Sequence, residues 1–157
     1  MQLTSAVFQA GGAIPSKFTC EGNDISPEFS WRDAPAETKT FALVLHDPDA
    51  PRAGGFTHWV VYNIPANAGH IREDAPRQEW VPDVGMQGIN DAGRIGYMGP
   101  CPPSGTHRYL ARLYALDVEL PLGPGASHSE LGSAMEGHIL EEAELMGTYA
   151  KKSVRAA

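Results

Sequence analysis

Residues 40–64 read TFALVLHDPDAPRAGGFTHWVVYNI, which is two apolar runs separated by a short segment rich in proline and glycine. The first run, Thr40–Asp47, is continuous and stops at Pro48. The second, His58–Ile64, is rich in β-branched and aromatic residues and stops at Pro65. Apolar runs of this length that end at proline are typical of strands in the interior of a sheet. The stretch therefore predicts two neighbouring buried strands with a sharp connection.

The rest of the chain favours more strands and many turns. Arg108–Asp117 is the clearest further strand, and Leu3–Phe8 is a shorter candidate. Periodicity is weak between residues 67 and 99, where Gly, Pro, Asp and Asn dominate. The 157 residues include 13 prolines and 17 glycines, which suits short strands joined by turns better than a helical bundle. We predict a mainly β fold and a single domain over residues 1–157.

One helix is predicted near the C-terminus. Ser127 followed by Glu130 has the spacing of a capping box. Apolar residues then recur at intervals of three and four, and Gly147 is a candidate for the end of the helix. The positions that carry this pattern are Leu131, Ala134, Met135, His138, Ile139, Ala143 and Met146. Such a helix would pack its apolar stripe on the sheet.

Charge and composition exclude several classes of partner. The chain has 12 Lys+Arg against 19 Asp+Glu, a net charge of −7, so clustered cations for a nucleic acid are missing. No polybasic run, signal-like segment or apolar stretch of membrane-spanning length is present, so we expect a cytoplasmic protein without membrane insertion. In a reducing compartment Cys20 and Cys101 are expected to be free thiols, although a single disulfide between them stays open.

The segment between the first two strands carries candidate functional residues. Asp47 and Asp49 lie two positions apart, and if the backbone is extended their carboxylates point to the same side. Pro48 and Pro51 favour that backbone, because a residue before proline avoids the helical region. We expect both carboxylates to meet the imidazole of His58 at one end of the sheet. The competing interpretation is a surface hairpin whose aspartates cap turns and whose histidine is a buried structural residue.

A second candidate segment spans residues 99–109, GPCPPSGTHRY. His107 and Tyr109 share parity in the predicted strand and face the same side, whereas Arg108 faces the other. An imidazole and a phenol beside a stiff loop with backbone N–H groups form a reasonable anion cradle. The competing interpretation of His107 is a buried histidine that donates to a carbonyl group.

These blocks resemble the phosphatidylethanolamine-binding protein family, in particular its bacterial Raf-kinase-inhibitor-like branch. The matching blocks are Gly22–Pro27 with Trp31, Asp47–Pro51 with His58 and Trp59, and Gly99–Pro100 with Pro102–Pro103, Gly105 and His107–Tyr109. They occur in family order, and the resemblance extends from about residue 3 to about residue 150.

The resemblance implies a large central antiparallel sheet packed on a smaller one, with one or two peripheral helices. It also implies an anion pocket at the end of the central sheet that binds phosphate or phosphorylated head groups. Carried over position by position, the pocket residues are Asp47, Asp49, Pro51, His58, Gly99, Pro100, Pro102, His107 and Tyr109. Trp59, next to His58, belongs to either the pocket rim or the core. A regulatory, kinase-inhibitor-like role follows from the same resemblance.

The pocket chemistry can be expected from these residue types. A carboxylate orients an imidazole through one ring nitrogen, leaves the other for the ligand, and raises the imidazole pKa towards the cationic form. We predict a binding protein without cofactor or metal rather than an enzyme. Two alternatives stay open: a module that inhibits a protein target, and a hydrolase that uses His, Asp and Cys101. A homodimer is also left open.

Overall fold

The computed structural model describes residues 1–152, and their strands form two antiparallel sheets. In chain order the strands are β1 (Gln2–Thr4), β2 (Phe29–Arg32), β3 (Thr40–Asp47), β4 (Phe56–Pro65), β5 (His70–Ile71), β6 (Trp80–Val81), β7 (Gly85–Gln87), β8 (His107–Leu116) and β9 (Ile139–Tyr149). The smaller sheet has the order β1-β2-β5, and the six-stranded sheet has the order β6-β7-β4-β3-β8-β9. A short 3-10 turn covers Ser16–Phe18, and helix α1 covers His128–Met135. The predicted fold class is confirmed.

Strand β3 lies in the middle of the large sheet and is buried on both faces. Phe41, Leu43 and Leu45 point towards the smaller sheet and join the larger apolar cluster. Ala42 and Val44 point the other way, into a second cluster that includes residues of α1 and of the segment before it. This double burial explains why the sequence of β3 is a continuous apolar run rather than an alternating one.

The three strong strand predictions are confirmed with small shifts at their ends. β3 has the predicted bounds, β4 extends beyond the predicted His58–Ile64 at both ends, and β8 begins one residue before the predicted Arg108. The first strand is shorter than expected: it ends at Thr4, and residues 5–8 continue without strand pairing.

The predicted C-terminal helix is right at its start and wrong after its second turn. The capping box of Ser127 and Glu130 is formed, but the helix ends at Met135 and Gly137 turns the chain with φ +80°. Ile139–Tyr149 is strand β9, which pairs with β8 from His107 to Leu116. Gly147 therefore lies inside a strand and ends no helix. Long-range pairing with β8 overrides the local helical spacing.

Within residues 1–152 no helix has both the length and the apolar character needed to cross a bilayer.

Candidate functional site

A cavity of about 130 Å³ opens at the end of the large sheet where β3 ends and where β4 and β8 begin. Antiparallel neighbours bring these three ends to the same edge, so residues distant in sequence share one wall. The lining residues are Asp47, Ala50, Phe56, His58, Met98, Cys101, Pro102, Pro103, His107 and Tyr109. Five of the residues predicted from the sequence are in this set: Asp47, His58, Pro102, His107 and Tyr109.

Asp47 and His107 form a buried pair in this cavity. The Nδ1 atom of His107 lies 2.6 Å from Oδ2 of Asp47, and the two side chains are only 7% and 4% exposed. The other carboxylate oxygen of Asp47 accepts the backbone N–H of Asp49 at 2.8 Å. Both oxygens of Asp47 are thus engaged within the protein, and the carboxylate orients the imidazole of His107 so that Nε2 is left for another partner.

A β-bulge brings His58 into the same cavity. Leu45 of β3 pairs with Trp59, but the next residue, His46, pairs with Thr57, so His58 has no partner of its own on β3. The extra residue reverses the alternation of β4 at this point. Thr57 contacts His46 on the opposite face of the sheet, while His58 lines the cavity.

Burial determines the charge of His58. Its Nδ1 lies 2.7 Å from the carbonyl oxygen of Met98, which can only accept, so this nitrogen carries the proton. Loss of hydration lowers the pKa of His58, and this effect outweighs the opposing influence of the Met98 carbonyl and of Asp47. The expectation of a cationic imidazole is therefore wrong for His58. At neutral pH its Nε2 has a lone pair.

The ring of Tyr109 neighbours both histidines. Its ring centroid is 5.3 Å from that of His58 and 6.5 Å from that of His107. The phenol oxygen is enclosed and forms no hydrogen bond of normal geometry with the described residues, although it is close enough to Asp47 to be affected by that carboxylate. Burial, followed by the charges of Asp47 and Asp49, raises the pKa of Tyr109, so the phenol stays neutral.

Asp49 lies outside the cavity lining. Residues 48 and 49 form a turn instead of an extended segment, because the Asp47 side chain accepts the N–H of Asp49. The Asp49 carboxylate binds the backbone N–H and the guanidinium of Arg108 at 2.8–3.0 Å. These bonds, the guanidinium first, lower the pKa of Asp49 to about 2.

Pro51, Gly99 and Pro100 also lie outside the lining. Pro51 is exposed, whereas Gly99 and Pro100 are buried behind the wall. The N–H of Gly99 donates to Asp24 at 2.7 Å, and a Cβ at Gly99 would collide with Asp24 Oδ1 and the carbonyl of Phe18. Gly99 and the prolines at 100, 102 and 103 therefore supply no backbone N–H group to the cavity, so any backbone donor from this loop would come from Cys101 or from residues 104–106.

Sequence reasoning missed the apolar half of the wall. Phe56 shares the early part of β4 with His58, and its ring centroid is 4.8 Å from the imidazole. Met98 contributes its carbonyl group to His58 and also lines the cavity. Neither residue stands out in the sequence, because apolar residues are equally suited to the core.

The expectation of two free thiols is wrong. Cys20 and Cys101 form a disulfide across a sequence separation of 81 residues. The backbone N–H of Cys20 also donates to the carbonyl of Pro100 at 3.1 Å, which holds the two segments together. Cys101 lines the cavity, so the disulfide ties one wall of the site to the segment that follows the 3-10 turn. Trp59, in contrast, is fully buried and donates to Gln87, so it belongs to the core.

Sequence comparison identifies the family of this fold and site. The family described as phosphatidylethanolamine-binding protein matches residues 4–150. The chain belongs to the phosphatidylethanolamine-binding protein family. The chain is also similar to a UPF0098 protein from Methanothermobacter thermautotrophicus, with 51% identity over 149 residues, which are 95% of this chain and 98% of that protein.

Solved structures agree with this assignment to the phosphatidylethanolamine-binding protein family. The chain is similar to the putative family homolog CT736 from Chlamydia trachomatis, with a TM-score of 0.88, 44% identity and coverage of 96% of this chain and 97% of that one. It is also similar to E. coli YbcL, described as a member of the mammalian family, with a TM-score of 0.89, 34% identity and coverage of 96% and 98%.

Proposed function

We propose that this chain binds a small phosphate-bearing anion in the cavity of Asp47, His58 and His107, and that it acts by binding rather than by turnover. The observation that carries the proposal is the common orientation of the two imidazoles. Each histidine has its Nδ1 engaged by a protein acceptor, Met98 for His58 and Asp47 for His107. Each therefore has Nε2 left for a ligand in one small cavity.

The protonation state predicts how an anion is bound. The Nε2 atom of His58 accepts hydrogen bonds at neutral pH, because burial lowers the pKa of His58. A phosphate oxygen also accepts, so the contact needs one additional proton. A monoprotonated phosphate can bring this proton, or the imidazole can take it up from solvent. For a phosphomonoester, which is fully ionised above its second pKa of about 6, both routes link binding to proton uptake. Inorganic phosphate still carries one proton at neutral pH, so for this ligand only protonation of the imidazole gives the linkage.

The family name supports a phosphorylated head group as the ligand class. The apolar wall of Phe56, Met98 and Pro103 suits the carbon part of such a ligand, while the imidazoles suit its phosphate. Two or three charge-assisted hydrogen bonds give micromolar to millimolar affinity once association costs are included. A regulatory role of the chain would then depend on the concentration of its ligand. A kinase-inhibitor-like role is proposed only as a consequence of ligand binding.

The binding model is tested by calorimetry with inorganic phosphate and with sulfate. We expect phosphate affinity to rise as the pH falls from about 8 to about 6, by up to about tenfold per pH unit for one proton taken up. Sulfate does not change its protonation in this pH range. A rise of sulfate affinity as the pH falls would therefore show that the protein takes up the proton. Tighter binding at the higher pH, or the absence of saturable binding, would overturn the proposal.

Two aspartate variants form a matched pair for the same experiment. Asp47→Asn removes the carboxylate that orients His107, and we expect at least about a tenfold loss of phosphate affinity. Asp49→Asn removes an equal charge two residues away, on the Arg108 side, and should keep affinity within about threefold of the wild type. Equal losses in both variants would contradict the geometry. If the wild-type chain hydrolyses a phosphomonoester and His107→Gln abolishes that hydrolysis, the chain is a hydrolase and the binding proposal is wrong.

The disulfide bears on the hydrolase alternative. Cys101 is bonded to Cys20, so a nucleophilic Cys/His pair is not formed in this state of the chain. Within residues 1–152 no three His, Cys, Asp or Glu side chains are grouped closely enough to hold a metal ion.

A further inference from the structure

A second cavity lies at the same end of strands β3 and β4, on the opposite face of the large sheet. It has a volume of about 500 Å³ and is lined mainly by polar residues and glycines. His46, Thr57 and His128 meet in its wall, with Arg52 and Asp91 as the charged lining residues. None of these five residues lines the anion cavity, so the two sites are chemically separate.

The hydrogen bonds in this wall have a defined direction. Nε2 of His46 lies 2.8 Å from the carbonyl oxygen of Gly54, so it carries a proton. In the neutral ring Nδ1 of His46 is then an acceptor, and the Thr57 hydroxyl 2.9 Å away must donate to it. The same hydroxyl oxygen lies 2.9 Å from Nδ1 of His128, which must therefore be the donor of that contact.

The chain of hydrogen bonds from His46 through Thr57 to His128, called the relay below, fixes the tautomer of His128. With its proton on Nδ1, His128 has a lone pair on Nε2, the one ring nitrogen of the two histidines without a hydrogen bond to the described residues. Burial, then the nearby His46, lowers the pKa of His128; Arg112 acts in the same direction and Asp91 opposes it. The ring is thus kept neutral and held in place at the wall of an open, polar cavity.

We propose that Nε2 of His128 is a phosphoryl acceptor for small phosphoramidate or acyl phosphate donors. A neutral, oriented imidazole nitrogen is a nucleophile. Arg52 is the one cation among the described lining residues and can bind the anionic oxygens of the donor. The hydroxyls of Ser127 and Ser129 in the same lining add neutral donors.

The transfer balances without a further reactant. Phosphoramidate reacts as its zwitterion, in which the nitrogen carries three protons and a positive charge. The Nε2 lone pair forms a bond to phosphorus while the P–N bond of the donor breaks, and neutral ammonia leaves with the electron pair of that bond. The positive charge created on the ring of His128 is passed along the relay to His46. The Nδ1 proton of His128 moves to Thr57 as the hydroxyl proton of Thr57 moves to His46, whose other nitrogen stays bound to Gly54.

The test is competition between histidines of the folded wild-type chain. His138 is the matched comparison, because its Nδ1 is held by Asp117 at 2.9 Å and its side chain is 43% exposed, but it lies outside this cavity. The protein is incubated with phosphoramidate, and acid-labile phosphorylation is mapped by mass spectrometry over time. We expect His128 to be modified at Nε2 at least about tenfold faster than His138. Equal or slower modification of His128 would overturn the proposal.

Two variants examine the relay itself. Thr57→Val removes the hydroxyl and should slow labelling of His128 about tenfold, whereas Thr57→Ser retains it and should restore the rate. Asp91→Asn removes the one anionic side chain of the described lining and should speed labelling, because the donor is an anion. An unchanged rate in Thr57→Val, with the fold intact by circular dichroism, would show that the relay does not position the nucleophile.

Discussion

Burial sets the protonation state of two histidines, His58 and His128, on opposite faces of the large sheet. In both, loss of hydration is the largest influence on the imidazole and lowers its pKa below the ordinary value of 6.5. Each ring also has its Nδ1 directed at an oxygen of the protein, so the neutral tautomer is defined. A neutral imidazole that offers one lone pair, buried at His58 and partly buried at His128, is a different chemical group from the cation expected for His58.

The lowered pKa values predict how stability changes with pH. In the unfolded chain a histidine titrates near 6.5, above its pKa in the folded protein, so below that pH the unfolded state binds more protons. The contribution of His58 and His128 to the free energy of unfolding is therefore complete above about pH 6.5 and is lost as the pH falls towards their folded pKa values. Each group can contribute a slope of at most about 1.4 kcal/mol per pH unit, and the partly exposed His128 should contribute less than His58 because solvent screens it.

Urea denaturation at a series of pH values measures this slope. His58→Gln and His128→Gln each remove one titrating group and should flatten the curve below about pH 6.5. His138→Gln, at a half-exposed surface pair, serves as the control. A wild-type curve with no loss of stability between about pH 6.5 and 5 would contradict the assigned direction.

At the scale of secondary structure elements, the junction between α1 and β9 determines the C-terminal architecture. Helix α1 has only eight residues, and its C-cap Glu136 is followed by Gly137 with φ +80°. A left-handed backbone at this point redirects the chain so that β9 can pair with β8. Arg112 of β8 and Glu144 of β9 then face each other as a cross-strand ion pair at 2.9 Å.

Two glycine substitutions distinguish the contribution of the turn at Gly137 to stability from that of helix α1. Gly137→Ala forces a side chain into the left-handed region, so we expect it to lower the free energy of unfolding by about 1 kcal/mol. Gly132 lies within α1, and a Cβ there meets no atom within 4 Å, so Gly132→Ala should be neutral or stabilising by up to about 1 kcal/mol. Chemical denaturation measures both changes. Equal effects of the two substitutions would mean that the turn conformation is not required.

For the whole molecule, the disulfide between Cys20 and Cys101 joins segments that are 81 residues apart. It connects the turn-rich region before β2 to the loop before β8, where Cys101 also lines the cavity that contains Asp47, His58 and His107. Disulfides persist mainly in oxidising compartments, so the bond bears on cellular location as well as on stability. The cytoplasmic location expected from the sequence stays a prediction.

Reduction of this bond should affect both stability and binding. Removal of a native disulfide typically lowers the free energy of unfolding by about 2–5 kcal/mol, and a loop of this length favours the upper part of that range. Phosphate affinity should fall as well, because one cavity wall loses its tether. Thermal denaturation and calorimetry with and without dithiothreitol measure the two effects, and a Cys20→Ser/Cys101→Ser double variant should reproduce them and be insensitive to reductant. Two free thiols in the unreduced, denatured protein would contradict the bond.

The sequence alone determined the mainly β fold, the three central strands and the histidines and aspartate that meet at one edge of the large sheet. These features depend on local patterns: continuous apolar runs that end at proline, and residues placed directly at strand ends. The family resemblance supplied the expectation that those ends form an anion pocket. The matched family confirms the resemblance itself, and anion binding stays a proposal.

Only the tertiary structure decided which of these residues face the cavity and how they are charged. The bulge that turns His58 inward, the strand formed by residues 139–149 and the Cys20–Cys101 bond all arise from pairing between distant segments. Asp49 is directed away because Arg108 binds it from a neighbouring strand. The free energy of such contacts is gained only when the chain is folded, so local patterns of residues do not contain it.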